Sequence, residues 1–220
     1  MKRWPVVIAL LYGITLTVLI VPAVYLAFVG SKDEINPISL FRSWQYWVWL
    51  AVLMLNQWAL LAVPVDVTNK RPASKRSIIF QIAASAFSIG LLIAGMVVGL
   101  GEVIKGDASF NYTGWIFFGI LGLSWLFWAR VFSTWSRKFG PEDLVKRTCQ
   151  TLFRGSVLQL LIVVPCHIYT RSKDYCCAGY GTAIGLVCGL AVMLVSFGPG
   201  IFFLYADHWK KLHPMQDKKS

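Results

Sequence analysis

Charged residues are scarce in this chain, and acids are scarcest: Asp and Glu number ten against twenty-one Lys and Arg, together 14% of 220 residues. A soluble domain carries about a quarter. The shortfall excludes an ordinary water-solvated surface. Apolar residues make up 57% and are gathered into long unbroken blocks rather than spread at helix or strand period, which makes lipid the solvent.

Chemical motifs are missing too. No phosphate-binding glycine loop, zinc-protease helix motif, hydrolase elbow or Ser/His/Asp arrangement occurs. No Asp, Glu, Lys or Arg lies near the middle of an apolar block, where coupled carriers keep an ionisable group, so proton-coupled transport is disfavoured. The chain has three His; His167 falls at one membrane face and His208 and His213 at the other, which rules out a bis-His haem. The net charge of +11 does not indicate nucleic acid. Lys and Arg sit in short segments between apolar blocks, not on one face interleaved with stacking aromatics.

What is present is a succession of spans. The apolar blocks predict an all-α membrane protein, a single polytopic domain over 1–220. Six transmembrane helices are expected, over about 5–29, 44–65, 78–104, 115–132, 152–168 and 181–206, with a basic tail over 207–220. The first block is too long for a signal-peptide core and lacks a small-x-small cleavage site, so it is expected to be retained. Gly140-Pro141-Glu142-Asp143 marks a helix start, with Pro at the first position and acids in the first turn. That helix is expected to run on into the fifth span. The fourth span is crowded with aromatics, among them Trp115, Phe117, Phe118, Trp125, Phe127, Trp128 and Phe132. Lipid-facing bulk explains them better than a pigment box, because no other residue would hold a ligand there.

Charge then orients the spans. With both termini in the cytoplasm, fifteen Lys and Arg lie inside and five outside, Arg154 standing at the inner end of the fifth span. The positive-inside rule therefore gives an N-in, C-in topology, and the expected location is a bacterial inner membrane. Asp66, Arg130, Arg154 and Asp207 close spans at the inner boundary, where they pair or snorkel.

Four of the five cysteines fall between Pro165 and Gly200. Cys166, His167, Cys176 and Cys177 are expected at the outer face, where disulfides persist. Two readings compete. A bridge from Cys166 to Cys176 or Cys177 would close a loop of about eleven residues and stabilise the hairpin by roughly 2–3 kcal/mol. Alternatively, the three thiols and the imidazole bind a thiophilic metal such as zinc or copper, or carry thiol redox chemistry. Adjacent cysteines seldom bridge each other, so one thiol is left over in the first reading. The spacing matches no established zinc pattern, and no cofactor is firmly indicated. Cys188 lies too deep to join the group.

Below the cysteines the sixth span carries Gly181, Gly185 and Gly189 on one helical stripe, and the third span carries Gly95 and Gly99. Small residues four apart let helices approach to backbone contact. The expected neighbour is the fifth span; the alternative is a second copy or another membrane protein. Gly198, Pro199 and Gly200 are expected to interrupt the sixth span, since Pro199 removes the bond to the carbonyl of Val195. Asn56, Gln57 and Gln159 are the strongly polar side chains near mid-depth. They are expected to hydrogen-bond between helices.

Three functions follow as expectations. The first is an accessory, assembly or interaction subunit without a catalytic site, its outer hairpin pinned by a disulfide. The second is an extracytoplasmic metal-binding or thiol-redox protein. The third, motivated by Pro199 and the mid-depth amides, is a small-solute transporter. The bilayer is the one partner common to all three, and nucleic acid is excluded.

Overall fold

The structure, a computed structural model, describes residues 14, 44–68, 75–105, 110–173 and 179–212. Among these are five long helices: α1 (Trp44–Thr68), α2 (Lys75–Lys105), α3 (Phe110–Lys138), α4 (Pro141–Arg171) and α5 (Tyr180–Leu212). They correspond to the second to sixth expected spans. The expected first span lies outside the described residues, as do Cys176, Cys177 and the last eight residues.

Four helices carry stretches long and apolar enough to cross a membrane: Ile78–Ile104 of α2, Gly114–Lys138 of α3, Asp143–Arg171 of α4 and Tyr180–Pro199 of α5. The described apolar stretch of α1 is shorter, Trp47–Leu60. The fold is thus all-α, with the proportions of a membrane protein.

α2 is the hub, touching each of the other four helices. Its sequence explains this. Ala84, Ser85, Ala86, Ser88, Gly90, Ala94 and Gly95 are all buried, and such small side chains let neighbouring backbones come close. The helix buries 67% of its best membrane-crossing window, against 6% for α3. α3 leans mainly on α2 and barely touches α4, although the two are consecutive. A short connection at Gly140 joins them, and Pro141 opens α4 at its first position, where its missing N–H costs nothing.

Two expectations change here. Gly198, Pro199 and Gly200 do not interrupt α5, which runs on as one helix to Leu212 with Pro199 inside it. A single proline removes one main-chain bond, and the helix continues through it. The aromatics of α3 also divide. Trp115 is 81% exposed, whereas Phe132 is fully buried. Phe132 contacts Trp128 and Trp135 at ring-centroid distances of 5.6 and 5.4 Å and belongs to the core.

Candidate functional site

The densest polar group joins three helices at the end of the bundle where α2 and α4 finish and α5 begins. Glu102, one turn from the end of α2, is 3% exposed. Its carboxylate faces the first turn of α5. Gly179 N–H donates to Oε1 at 2.7 Å, and Thr182 N–H donates to Oε2 at 2.8 Å. These are the N-cap and N3 positions, whose N–H groups have no partner within the helix. An acid from another helix thus satisfies both, and the helix dipole favours its charge.

Thr182 carries the network across to α4. Its hydroxyl donates to the Gly179 carbonyl at 3.0 Å and lies 2.9 Å from His167 Nδ1 and 3.1 Å from Thr170 Oγ1. Thr170 places its own proton on the carbonyl of Cys166 or His167. A hydroxyl has one proton. When that of Thr182 goes to Gly179, His167 donates to Thr182 from Nδ1; the imidazole is also hydrogen-bonded to the Gly179 backbone. The Arg171 guanidinium and the Glu102 carboxylate both act on this imidazole.

Gly179 is required at the corner. Its φ of +88° lies in the left-handed region that favours glycine. A Cβ there would also stand 2.8 Å from Arg171 Cδ and 3.3 Å from His167 Cε1.

Of the expected outer cluster, Cys166 and His167 are described, and Cys166 carries a free thiol. Its expected partners, Cys176 and Cys177, lie outside the described residues. Hydrogen bonds to Glu102 and through Thr182 hold the described part of this hairpin together. Among the described residues no group of three or more His, Cys, Asp or Glu is placed to hold a metal ion. Zinc or copper thus finds no ready ligand set there. Cys188 is buried in the core, away from Cys166.

The glycine stripe is covered within the chain. A Cβ on Gly185 would meet the Gly95 carbonyl oxygen at 2.7 Å, so α5 crosses α2 at backbone contact, not α4 alone as the spacing suggested. Gly181 packs on Val98 and Glu102, Gly99 faces Thr182, and Gly189 faces Leu160 and Gln159. The Gln159 amide enters from α4 and fills the space left by Gly95, Gly185 and Gly189. Its Nε2 donates to the Gly185 carbonyl at 3.0 Å.

The other amides also act between helices. Asn56 Nδ2 donates to Ser88 Oγ at 2.7 Å, joining α1 to α2. Gln57 is buried against α5, where the missing side chain of Gly198 makes room for its amide; neither of its polar atoms has a hydrogen-bond partner among the described residues. Gln81, which the sequence reading passed over, donates to Thr148 across α2 and α4.

The sequence reading also missed Glu102, Thr170 and Thr182. Two signals pointed to them: a lone acid near the end of an apolar run, and a threonine three residues after Gly179, where an N-terminal turn seeks acceptors.

Chemically the group is a joint. Both carboxylate oxygens of Glu102 accept main-chain N–H groups, which ties the end of α2 to the start of α5. The His167 imidazole and the free Cys166 thiol are its reactive groups. This architecture defines an all-α membrane protein with a polar joint at one end. No family model, curated protein or solved structure matches the chain.

Proposed function

We propose that the chain is a six-span bacterial inner-membrane protein, with both termini in the cytoplasm, that works as an accessory, assembly or interaction subunit and not as an enzyme. The observation that carries this reading is the face of α3. Trp115, Phe118, Leu123, Leu126 and Phe127 are all exposed on a helix that leans mainly on α2. Aromatic side chains dominate the core of protein interfaces. The joint and the interhelix amides supply the rigid frame that such a surface needs, and the glycine stripe is already taken up by the chain's own helices.

Site-specific photocrosslinking in native membranes tests the reading. A photoreactive residue at Phe118 or Leu126 is expected to give a discrete protein adduct. The same probe at Leu161 of α4, which is also exposed, is expected to give lipid adducts alone. Lipid adducts alone from both helices would overturn it.

A second reading rests on the orientation of His167. A metal-ligating histidine is oriented by a hydrogen bond at its other ring nitrogen, as Thr182 holds Nδ1 of His167, and the Cys166 thiol adjoins it in sequence. In this reading Cys176 and Cys177 complete a zinc, copper or thiol-redox centre. Elemental analysis with thiol counting on anaerobically purified protein decides it; metal-free protein with unreactive thiols would end it.

A further inference from the structure

Arg154 does not end a span, as its place in the sequence suggested, but stands near the middle of one. Gly155, the next residue, faces Leu92, and a Cβ there would stand 3.2 Å from Leu92 Cδ1. Leu92 lies at the centre of the apolar stretch Ile78–Ile104 of α2. One turn further along α4, the Gln159 amide fills the space beside Gly95, so the two helices keep this register. Within α4, Arg154 is about 20 Å from Pro141 and about 26 Å from Arg171 along the axis, at 1.5 Å per residue. It is therefore far from the helix ends, where a long basic side chain reaches the headgroups.

Arg154 is also exposed, and it forms no hydrogen bond or ion pair among the described residues. Gln150, one turn earlier, is exposed as well. The exposed side chains beyond it, Val157, Leu158, Leu161 and Val164, are apolar. A guanidinium facing hydrocarbon is costly, and charged side chains within spans pair with other groups. This chain offers no acid at that depth. Among the described side chains the acids are Glu102 and Asp143. Glu102 is buried and holds Gly179 and Thr182, and Asp143 lies in the first turn of α4, about 16 Å along the axis from Arg154. The apolar block over 5–29 contains no Asp or Glu. A second copy brings the same set, so the missing charge belongs to a different protein.

We propose that the partner covering the aromatic face of α3 carries an Asp or Glu within a spanning helix, which lies along the groove between α3 and α4 and pairs with Arg154 near mid-bilayer. This assignment rests on the reading of α3 as an interface and adds the partner's chemistry to it. Guanidinium and carboxylate match through paired N–H donors. The groove, lined among others by Trp128, Thr151 and Leu158, seats the helix beside Arg154. The helix crosses α4 there and leaves Leu161, about 10 Å further along the axis, to lipid.

The test puts an amine in place of the guanidinium and asks which carboxylate adjoins it. In native membranes carrying Arg154→Lys, dicyclohexylcarbodiimide, which enters hydrocarbon, couples the new amine to a neighbouring carboxylate; an amide forms and the carbodiimide takes up the water as its urea. Peptide mass spectrometry is expected to find that amide joining position 154 to an Asp or Glu in an apolar segment of another protein. A photoreactive residue at Phe118 reports the α3 contact in the same membranes. Arg154→Glu is expected to lower the Phe118 protein adduct about tenfold, because like charges then meet across the interface, whereas Arg154→Lys retains it. Purified alone, Arg154→Gln is expected to unfold at the parent's temperature, since no contact within the chain is lost. Absence of the amide where the Phe118 adduct forms, an amide to an acid of this same sequence, or an adduct undiminished in Arg154→Glu would overturn the carboxylate partner and leave the α3 interface standing. An Arg154→Gln protein that unfolds well below the parent would place the guanidinium in the chain's own fold and overturn it too. A parent that gives no Phe118 protein adduct would overturn both.

Discussion

α2 and α3 are neighbours in sequence and are both apolar, yet the chain uses them in opposite ways. α2 is built from Ala, Ser and Gly, is covered on most sides and ends in an acid that caps another helix. α3 is built from Trp, Phe and Leu and presents most of its surface outward. Small residues bring backbones together in lipid, where apolar bulk gains nothing by leaving the bilayer. Helices this apolar therefore differ in burial through side-chain size and hydrogen bonding.

The contrast can be broken at several points, and the expected effects fall in a clear order. Gly185→Leu drives a side chain into the Gly95 carbonyl, which is main chain and cannot swing aside. The expected outcome is loss of monodisperse protein in size-exclusion chromatography, because overpacking a rigid contact costs about 1–3 kcal/mol or more.

Glu102→Ala leaves the buried N–H groups of Gly179 and Thr182 without their acceptors. We expect about 2–4 kcal/mol of destabilisation, seen as a lowered unfolding temperature in detergent and faster hydrogen exchange confined to the first turn of α5. Gln159→Leu removes the bond to the Gly185 carbonyl but keeps the volume. A loss of about 1 kcal/mol is expected, in line with single interhelix hydrogen bonds in membranes. Phe127→Ala, on the exposed side of α3, is expected to shift stability by less than about 0.5 kcal/mol. A large loss there would place α3 in the core and erase the contrast.

Much of the frame was legible because lipid imposes a simple rule. Long apolar runs become helices, and the blocks containing Ile78–Ile104 and Trp115–Phe132 were visible from composition alone. The small-residue steps at Gly95 and Gly185 were legible as contacts, but not as partners of each other. Spacing along one helix does not say which neighbour fills the groove. Phe132 reads like the other aromatics of α3, and nothing in the local pattern marks it as the one that joins the core. At the joint, cysteine and histidine drew attention because their chemistry is conspicuous. Glu102 did the connecting from seventy-seven residues away in sequence, a distance over which no local pattern operates. The unbroken course of α5 through Pro199 likewise goes against the local preference of that residue.

The central claim is that a carboxylate, and not a disulfide, fixes the start of α5 against α2 and α4. It is tested most directly by comparing thermal unfolding of the parent, with and without reductant, against Cys166→Ser and Glu102→Gln. Glutamine keeps one acceptor but turns an N–H₂ toward a main-chain donor. The account predicts that reductant and Cys166→Ser leave the midpoint where it is, while Glu102→Gln lowers it by several degrees, as expected for about 1–3 kcal/mol. A midpoint that falls on reduction or in Cys166→Ser, and stands unchanged in Glu102→Gln, would contradict it.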